Sequence, residues 1–238
     1  MAPDSFYPGK LKENSSGRRK TTGQFYIENR AHREIYLCSG PGFGSVEHPT
    51  TRSCLKCLGV LLAQFSPENV LDAGTGNAIL AIAAVFGGAE KIIAVDIQAK
   101  ALNIAKRNVT LNGVQKRVWL CCADAFLMRG WYDLIIANLN PGSFEHIDSF
   151  LEAHLIEGGY SIVSGLSGFE RDRVFRRLVM NGSFIVHDEL WDSGWTTFLV
   201  HKSCDSLSTN GGGINVYLFN VWKVFTRGHK KCQPHEDS

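Results

Sequence analysis

Two carboxylates and two glycines sit at a spacing that can hold a ribose and an amino-acid cation. Asp72 precedes Gly74 by two positions in Val70-Leu71-Asp72-Ala73-Gly74-Thr75-Gly76, and Asp96 closes the β-branched run Lys91-Ile92-Ile93-Ala94-Val95-Asp96. An acid ending a second strand, roughly 20 residues beyond the first glycine, suits the two hydroxyls of a ribose. Gly74 and Gly76 can adopt backbone angles, and tolerate a ligand's approach, that a side chain would prevent. Asp72 is placed to meet a cationic amino group beside them. A dinucleotide site would need Gly-x-Gly-x-x-Gly, but Ile79 stands where the third glycine belongs. Ribose plus an amino-acid-like cation describes S-adenosylmethionine better than NAD. The competing reading of a bare Gly-x-Gly is a turn that needs glycine for geometry alone.

These residues require a sheet edge to gather them. Val70-Leu71 reads as the end of a buried strand, and the apolar run Ala78 to Val85 as a buried helix after the turn. A surface helix is expected over Gln98 to Asn112 and a third strand over Arg117 to Cys122, followed by Asp124. Asp124 could accept from the exocyclic amine of adenine or simply cap a turn. The buried strand Asp133 to Asn138 brings Asn138 to the same edge as Asp72 and Asp96, before the turn Leu139-Asn140-Pro141-Gly142. A helix over Ser143 to Leu155, a strand at Tyr160 to Val163 and a basic helix over Glu170 to Met180 follow, with Arg171, Arg173, Arg176 and Arg177 expected in solvent. Ser183 to His187 and Trp195 to Val200 read as a closing antiparallel pair. Strands alternating with helices give an α/β sandwich with one mostly parallel sheet.

Upstream, Gly40 to Thr51 forms a loop running into a helix expected over Thr51 to Phe65, with Thr50 or Thr51 as cap. Such a helix start offers free N–H groups to an anionic group, or is an ordinary capped loop. The 238 residues suffice for one main domain, and the net charge of +2 argues against a strong electrostatic hold on nucleic acid. No apolar run approaches the roughly 20 residues of a membrane span, and no secretory signal is expected. Seven cysteines without framework spacing point to a reducing cytoplasm. Cys54-x-x-Cys57 lacks a second ligand pair, so buried thiols are expected and no metal. Residues 1–37 are expected to be a flexible basic arm, with a short strand at Gly23 to Ile27. After the core at 38–202, residues 203–238 form an extension whose Ile214 to Trp222 could be one more strand or a packed arm.

The stretch from about Cys38 to Lys202 resembles the class I S-adenosylmethionine-dependent methyltransferases, and more narrowly the PrmA-type methyltransferases of a large-subunit ribosomal protein. The motifs carrying this are Gly42-Phe43-Gly44 with His48-Pro49-Thr50-Thr51, Leu71 to Gly76 with Ile79 to Ala84 behind it, Val95-Asp96-Ile97, and Ala137-Asn138. The resemblance implies a Rossmann-like sandwich with a mostly parallel seven-stranded sheet closed by an antiparallel hairpin. It implies cofactor contacts from Thr51, Gly74, Asp96 and Asn138, with Phe43, Asp72 and Gly76 close by. The chain departs from that family in the residues between Gly44 and His48 and in Asn140-Pro141, and about 37 residues precede the match where the family carries a substrate-docking domain, which is therefore not expected here. Asn138 and the Leu139 to Pro141 carbonyls are candidates to orient an acceptor nitrogen, and His48 and Glu47 to assist proton removal. Three readings follow: N-methylation of a protein amino group, methylation of a small-molecule acceptor, or a cofactor-binding module without turnover. Base methylation fits less well, because Leu139-Asn140-Pro141-Gly142 only partly matches a turn that holds a flipped base.

Overall fold

The computed structural model describes residues 6–8, 12–13, 19–25, 33–38 and 47–203. Four strands precede the first helix: β1 (Phe6–Pro8), β2 (Lys12–Glu13), β3 (Arg19–Phe25) and β4 (Arg33–Cys38), all paired antiparallel through β3. The core then alternates as α1 (Pro49–Gln64), β5 (Asn69–Ala73), α2 (Ile79–Phe86), β6 (Lys91–Asp96), α3 (Ala99–Leu111), β7 (Val118–Cys122), β8 (Tyr132–Asn138), α4 (Ile147–His154), β9 (Leu155–Ser167), α5 (Gly168–Asn181), β10 (Phe184–Asp192) and β11 (Trp195–Lys202). Between β7 and β8 stands only a 3-10 turn, Ala125–Leu127.

The larger sheet has the order β10-β11-β9-β8-β5-β6-β7. The pairs among β5 to β9 are parallel, whereas β11 is antiparallel to both β9 and β10, so β11 alone is reversed. The chain runs outward from β5 to β7 and then returns to β8 on the other side of β5. That reversal opens a crevice at the carboxyl ends of β5 and β8, where α/β sheets bind ligands.

The sequence dictates which helix goes where. Ile79 to Val85 is apolar on every side and is wholly buried between α1, α3 and the sheet. The second face packs Phe144, Phe150 and Leu151 against Ile135, Val163 and Phe198. The stretch expected to be a flexible arm contributes strands, and Phe25, Ile35 and Leu37 are buried in the same cluster as α2. Asn108 and Asn112, four apart on α3, fasten β4: Cys38 N donates to Asn108 Oδ1 (2.8 Å), and Tyr36 N donates to Asn112 Oδ1 (2.9 Å).

Several expectations shift in detail. The helix expected from Ser143 begins at Ile147, and β9 extends well past the expected Tyr160 to Val163 at both ends. Arg171 is partly exposed, as expected, and is also paired: it meets Glu189 and Asp172, and its guanidinium lies 5.0 Å from the Phe175 ring centre. Cys54 and Cys57 are buried on α1, and burial pushes the Cys54 thiol up to about 12. Phe43, the loop around it and the extension beyond Ser203 lie outside the described residues.

Candidate active site

A cavity of about 740 Å³ fills the crevice at the carboxyl ends of β5, β6 and β8. Its floor is the turn after β5, where Gly74 (φ 72), Gly76 (φ 56) and Ala78 (φ 65) alternate in the left-handed conformation. Glycine takes that conformation freely, and Ala78 takes it at a cost of roughly 1 kcal/mol. A side chain on Gly74 would also meet Leu139 Cδ2 at 2.7 Å. The turn therefore passes close beneath the loop that follows β8.

The hydrogen bonds of this turn decide what it can hold. Thr75 N donates to Val95 O, Ala78 N to Thr75 O, Gly76 N to Asp96 Oδ2 (3.0 Å) and Ile79 N to Asn77 Oδ1 (3.1 Å). These N–H groups, which in a dinucleotide site would meet a pyrophosphate, already donate to the chain's own oxygens. Asp96 is aimed by two such donors, since Gln98 N also donates to its Oδ1 at 2.8 Å. Each carboxylate oxygen accepts more than one bond, so capacity remains on the cavity side. Behind the turn, Asn108 Nδ2 donates to Asn77 O (2.9 Å), tying it to the helix that holds β4.

Asp72 behaves differently from Asp96. It is 1 % exposed, accepts from Thr75 Oγ1 at 2.6 Å and lies beneath the cavity floor instead of lining it. Burial is the main cause that pushes its carboxyl up to about 6, with the Asp96 charge adding and the bonds from Thr75 and the Ala81 backbone opposing. A carboxyl with a raised folded pKa holds its proton more tightly folded than unfolded. Its contribution to stability is therefore full below pH about 4 and is lost as pH rises to about 6. Relative to Asp72→Asn, the parent should lose about 3 kcal/mol of unfolding free energy across that window. Urea unfolding at a series of pH values checks this; parallel curves for the two proteins would refute it.

The other expected residues fall around the same cavity. Thr51, Gly74, Gly76, Asp96, Asp124 and Asn138 all line it. Asp124 caps the turn, its Oδ1 accepting from Phe126 N at 2.9 Å, and it also lines the cavity. His48 lines the rim as the N-cap of α1, with Nδ1 accepting from Thr50 N and lying 2.9 Å from Thr50 Oγ1. Across from it, Arg52 Nη2 meets Asp192 Oδ2 at 2.7 Å and Nη1 donates to Glu47 O, which clasps the β10–β11 turn to the start of α1. Burial alone would raise the Asp192 carboxyl, but these bonds from Arg52 hold it below its ordinary value. Trp195, just after that turn, lies 5.5 Å from the His48 ring.

Trp195, Glu145 and His146 also line the cavity and were not anticipated from sequence. Glu145 and His146 sit in the turn region before α4, and Trp195 arrives on the reversed strand, so no local motif signals them. Among the described residues, no group of three or more His, Cys, Asp or Glu is arranged to hold a metal ion. Nor is any helix long and apolar enough to cross a membrane.

Comparison with known proteins places this geometry. Residues 22–203 match the family model described as ribosomal protein L11 methyltransferase (PrmA). A ribosomal protein L11 methyltransferase of Geobacter sulfurreducens is 38% identical over 147 residues, 62% of this chain and 48% of that protein. One from Allorhizobium ampelinum is 34% identical over 211 residues, covering 83% of this chain and 71% of that one. The chain spans about half the length of the first curated relatives it matches. Among solved structures, a ribosomal protein L11 methylase from Lactobacillus delbrueckii subsp. bulgaricus superposes with a TM-score of 0.63 at 30% identity, over 70% of this chain and 84% of that one. A putative RNA methyltransferase from Pyrococcus horikoshii shares the fold, with a TM-score of 0.55 at 17% identity over 64% of this chain and 84% of that one.

Proposed function

The chain belongs to the PrmA family of ribosomal protein L11 methyltransferases, and from that premise we propose that it uses S-adenosylmethionine to methylate a nitrogen of a protein, a lysine side chain or an amino terminus. The observation that carries this reading is the charge of the cavity. Its described lining includes Asp96, Asp124 and Glu145 and contains no lysine or arginine. Such a site attracts a sulfonium cofactor and an amine acceptor, and repels the phosphates of a nucleic acid. The occupied N–H groups of the glycine turn fit the same cofactor, which has no pyrophosphate.

When bound, S-adenosylmethionine supplies an electrophilic methyl group; binding, aiming and the exclusion of water fall to the chain. Asp96 would accept from the ribose hydroxyls and Asp124 from the adenine amine, while Gly74 and Gly76 keep the floor low. Asp72 contributes its charge from beneath, and Thr51 borders the cavity at the start of α1. Phe43, by the family's pattern, belongs close to the cofactor. Asn138 and the carbonyls of Leu139 to Pro141 would hold the acceptor nitrogen in line, an arrangement that can remove several kcal/mol of the barrier.

A lysine must first lose a proton, against an ordinary pKa of about 10.4. His48 is poorly set to take it. Its Nδ1 is turned to Thr50, 2.9 Å from Oγ1 and 3.4 Å from the backbone N, so that nitrogen is engaged at the start of α1. We assign His48 to shaping the rim, and leave proton removal to Glu145, His146 or solvent at the mouth. The catalytic domain would begin near residue 22 and not at 38, since Phe25, Ile35 and Leu37 share its core, and would run to about 202, followed by the extension 203–238, in a protein of the reducing cytoplasm.

The test is labelled-methyl transfer by the purified full chain. Incorporation into protein, mapped to a lysine or amino terminus, supports the proposal. Incorporation only into low-molecular-weight material would transfer it to a small-molecule acceptor. Cofactor binding with no incorporation anywhere would leave a binding module.

A further inference from the structure

A second groove lies at the opposite end of the sheet from the cavity. It encloses about 600 Å³ and is reached from the first residues of β5, β6 and β8 (Asn69, Lys91 and Tyr132). It exists because only a 3-10 turn joins β7 to β8, so no helix covers Ile93, Trp119 and Cys121 on that face. Two tryptophans stand at it in the open, Trp119 at 51% and Trp131 at 76% exposure. Large exposed aromatic side chains grouped in one groove mark a surface made to be covered.

The strand beside it is also unfinished. β7 ends the sheet, and among the described residues nothing pairs with its outer edge. Ile92 N donates to Arg117 O, and Ala123 N to Asp96 O. The odd-numbered residues of β7 therefore face β6, and by alternation Val118, Leu120 and Cys122 turn their N–H and C=O groups outward. The charge of the groove is the reverse of that of the cavity. Lys91 and Arg129 line it, and no acid does.

We propose that this face binds an extended acidic segment of a protein partner, which adds a strand to β7. Backbone hydrogen bonds to the outward groups of Val118, Leu120 and Cys122 would supply affinity. Every second side chain of the segment would face the groove, and among these apolar ones would lie on Trp119 and Trp131 while carboxylates meet Lys91 and Arg129, which line the same face. Two lining cations in a mostly apolar groove are too few to follow a phosphate backbone. Because the groove opens at the far end of the sheet, a partner can be held there while the cavity stays accessible.

The probe is a fluorescent extended peptide in which every second residue, the set that faces the groove, is by turns Glu and Val or Phe, with Thr at the positions between; it is titrated into the full chain and followed by anisotropy. The same peptide with Lys for Glu, and a single-stranded RNA, serve as competitors. The acidic peptide should bind, and Trp119→Ser or Trp131→Ser should each weaken it by roughly 10-fold. Lys91→Glu with Arg129→Glu should exchange the preference in favour of the Lys peptide. Methylating alternate backbone nitrogens of the peptide should abolish binding. Both Trp131 and Arg129 are exposed, so their variants keep the test valid if Trp119→Ser lowers the unfolding midpoint. Failure of the acidic peptide to bind, equal binding of the Lys peptide, indifference to the tryptophan variants, or displacement by RNA alone would each overturn the proposal. So would strand pairing between two copies of this chain that the peptide cannot displace.

Discussion

Asp96→Ala is expected to weaken S-adenosylmethionine binding by roughly 100-fold or more while the chain stays folded. The estimate follows from the loss of two hydrogen bonds between ribose hydroxyls and a buried carboxylate, each contributing about 1.5 kcal/mol or more. The substitution acts on the protein as well. Gly76 N and Gln98 N lose their acceptor, so the glycine turn and the start of α3 are no longer aimed at each other. Asp96→Asn keeps one acceptor oxygen and should fall between the parent and the alanine variant. Calorimetric titration, with NAD as the parallel ligand, reads the effect directly. A folded Asp96→Ala protein with parental affinity would remove Asp96 from the site, and tighter binding of NAD would remove the cofactor assignment.

Gly165→Ala is expected to lower the rate of methyl transfer by roughly 100-fold while leaving cofactor affinity much closer to the parent's, since a displacement of about 1 Å in a positioning group has that consequence. Gly165 sits on β9 at φ 93, and a Cβ there would stand 1.9 Å from Leu139 O. The obstacle is backbone, so no side-chain rotation relieves it. Either β9 or the loop after β8 must move, and that loop is pinned to β9 by Leu139 N donating to Ser164 O at 3.1 Å. The residues displaced are those that flank the cavity beside Asn138. Gly168→Ala, at a glycine with open space where a Cβ would stand, is the control and should be close to neutral. Single-turnover rates measured beside binding constants separate the two effects. A Gly165→Ala protein with the parental rate would show that the turn after Asn138 does not position the acceptor.

Much of the cavity's floor and edge was legible in the chain because it is built from local signals. A strand, a glycine turn and an apolar helix occur consecutively, and acids at strand ends must reach the same sheet edge once the strands run parallel. That reasoning located Asp96, Asp124 and Asn138 on the cavity. It left the direction of the Asp72 carboxylate open, because a residue's position along a strand does not say that its carboxylate turns to Thr75 beneath the cavity floor. His48 was similarly ambiguous. A histidine before Pro49 can reach into a site or cap a helix, and the direction of its Nδ1 decides which.

The composition and periodicity of the chain determined the layers, the parallel sheet and the acids at its edge, since alternating burial leaves each element few choices of partner. Only the tertiary structure decided which distant residues share that edge. Trp195 reaches the cavity because β11 runs backwards, and Glu145 and His146 because the chain before α4 is folded over the opening. The strands at 19–25 and 33–38 joined the core for the same kind of reason. The basic, Ser- and Gly-containing composition of residues 1 to about 25 suggested a loose arm, and the bonds from Asn108 and Asn112 that fasten 33–38 come from a helix some 70 residues later. Contacts of that range carry no periodic trace in sequence, because they depend on how completed elements pack and not on which residues are neighbours along the chain.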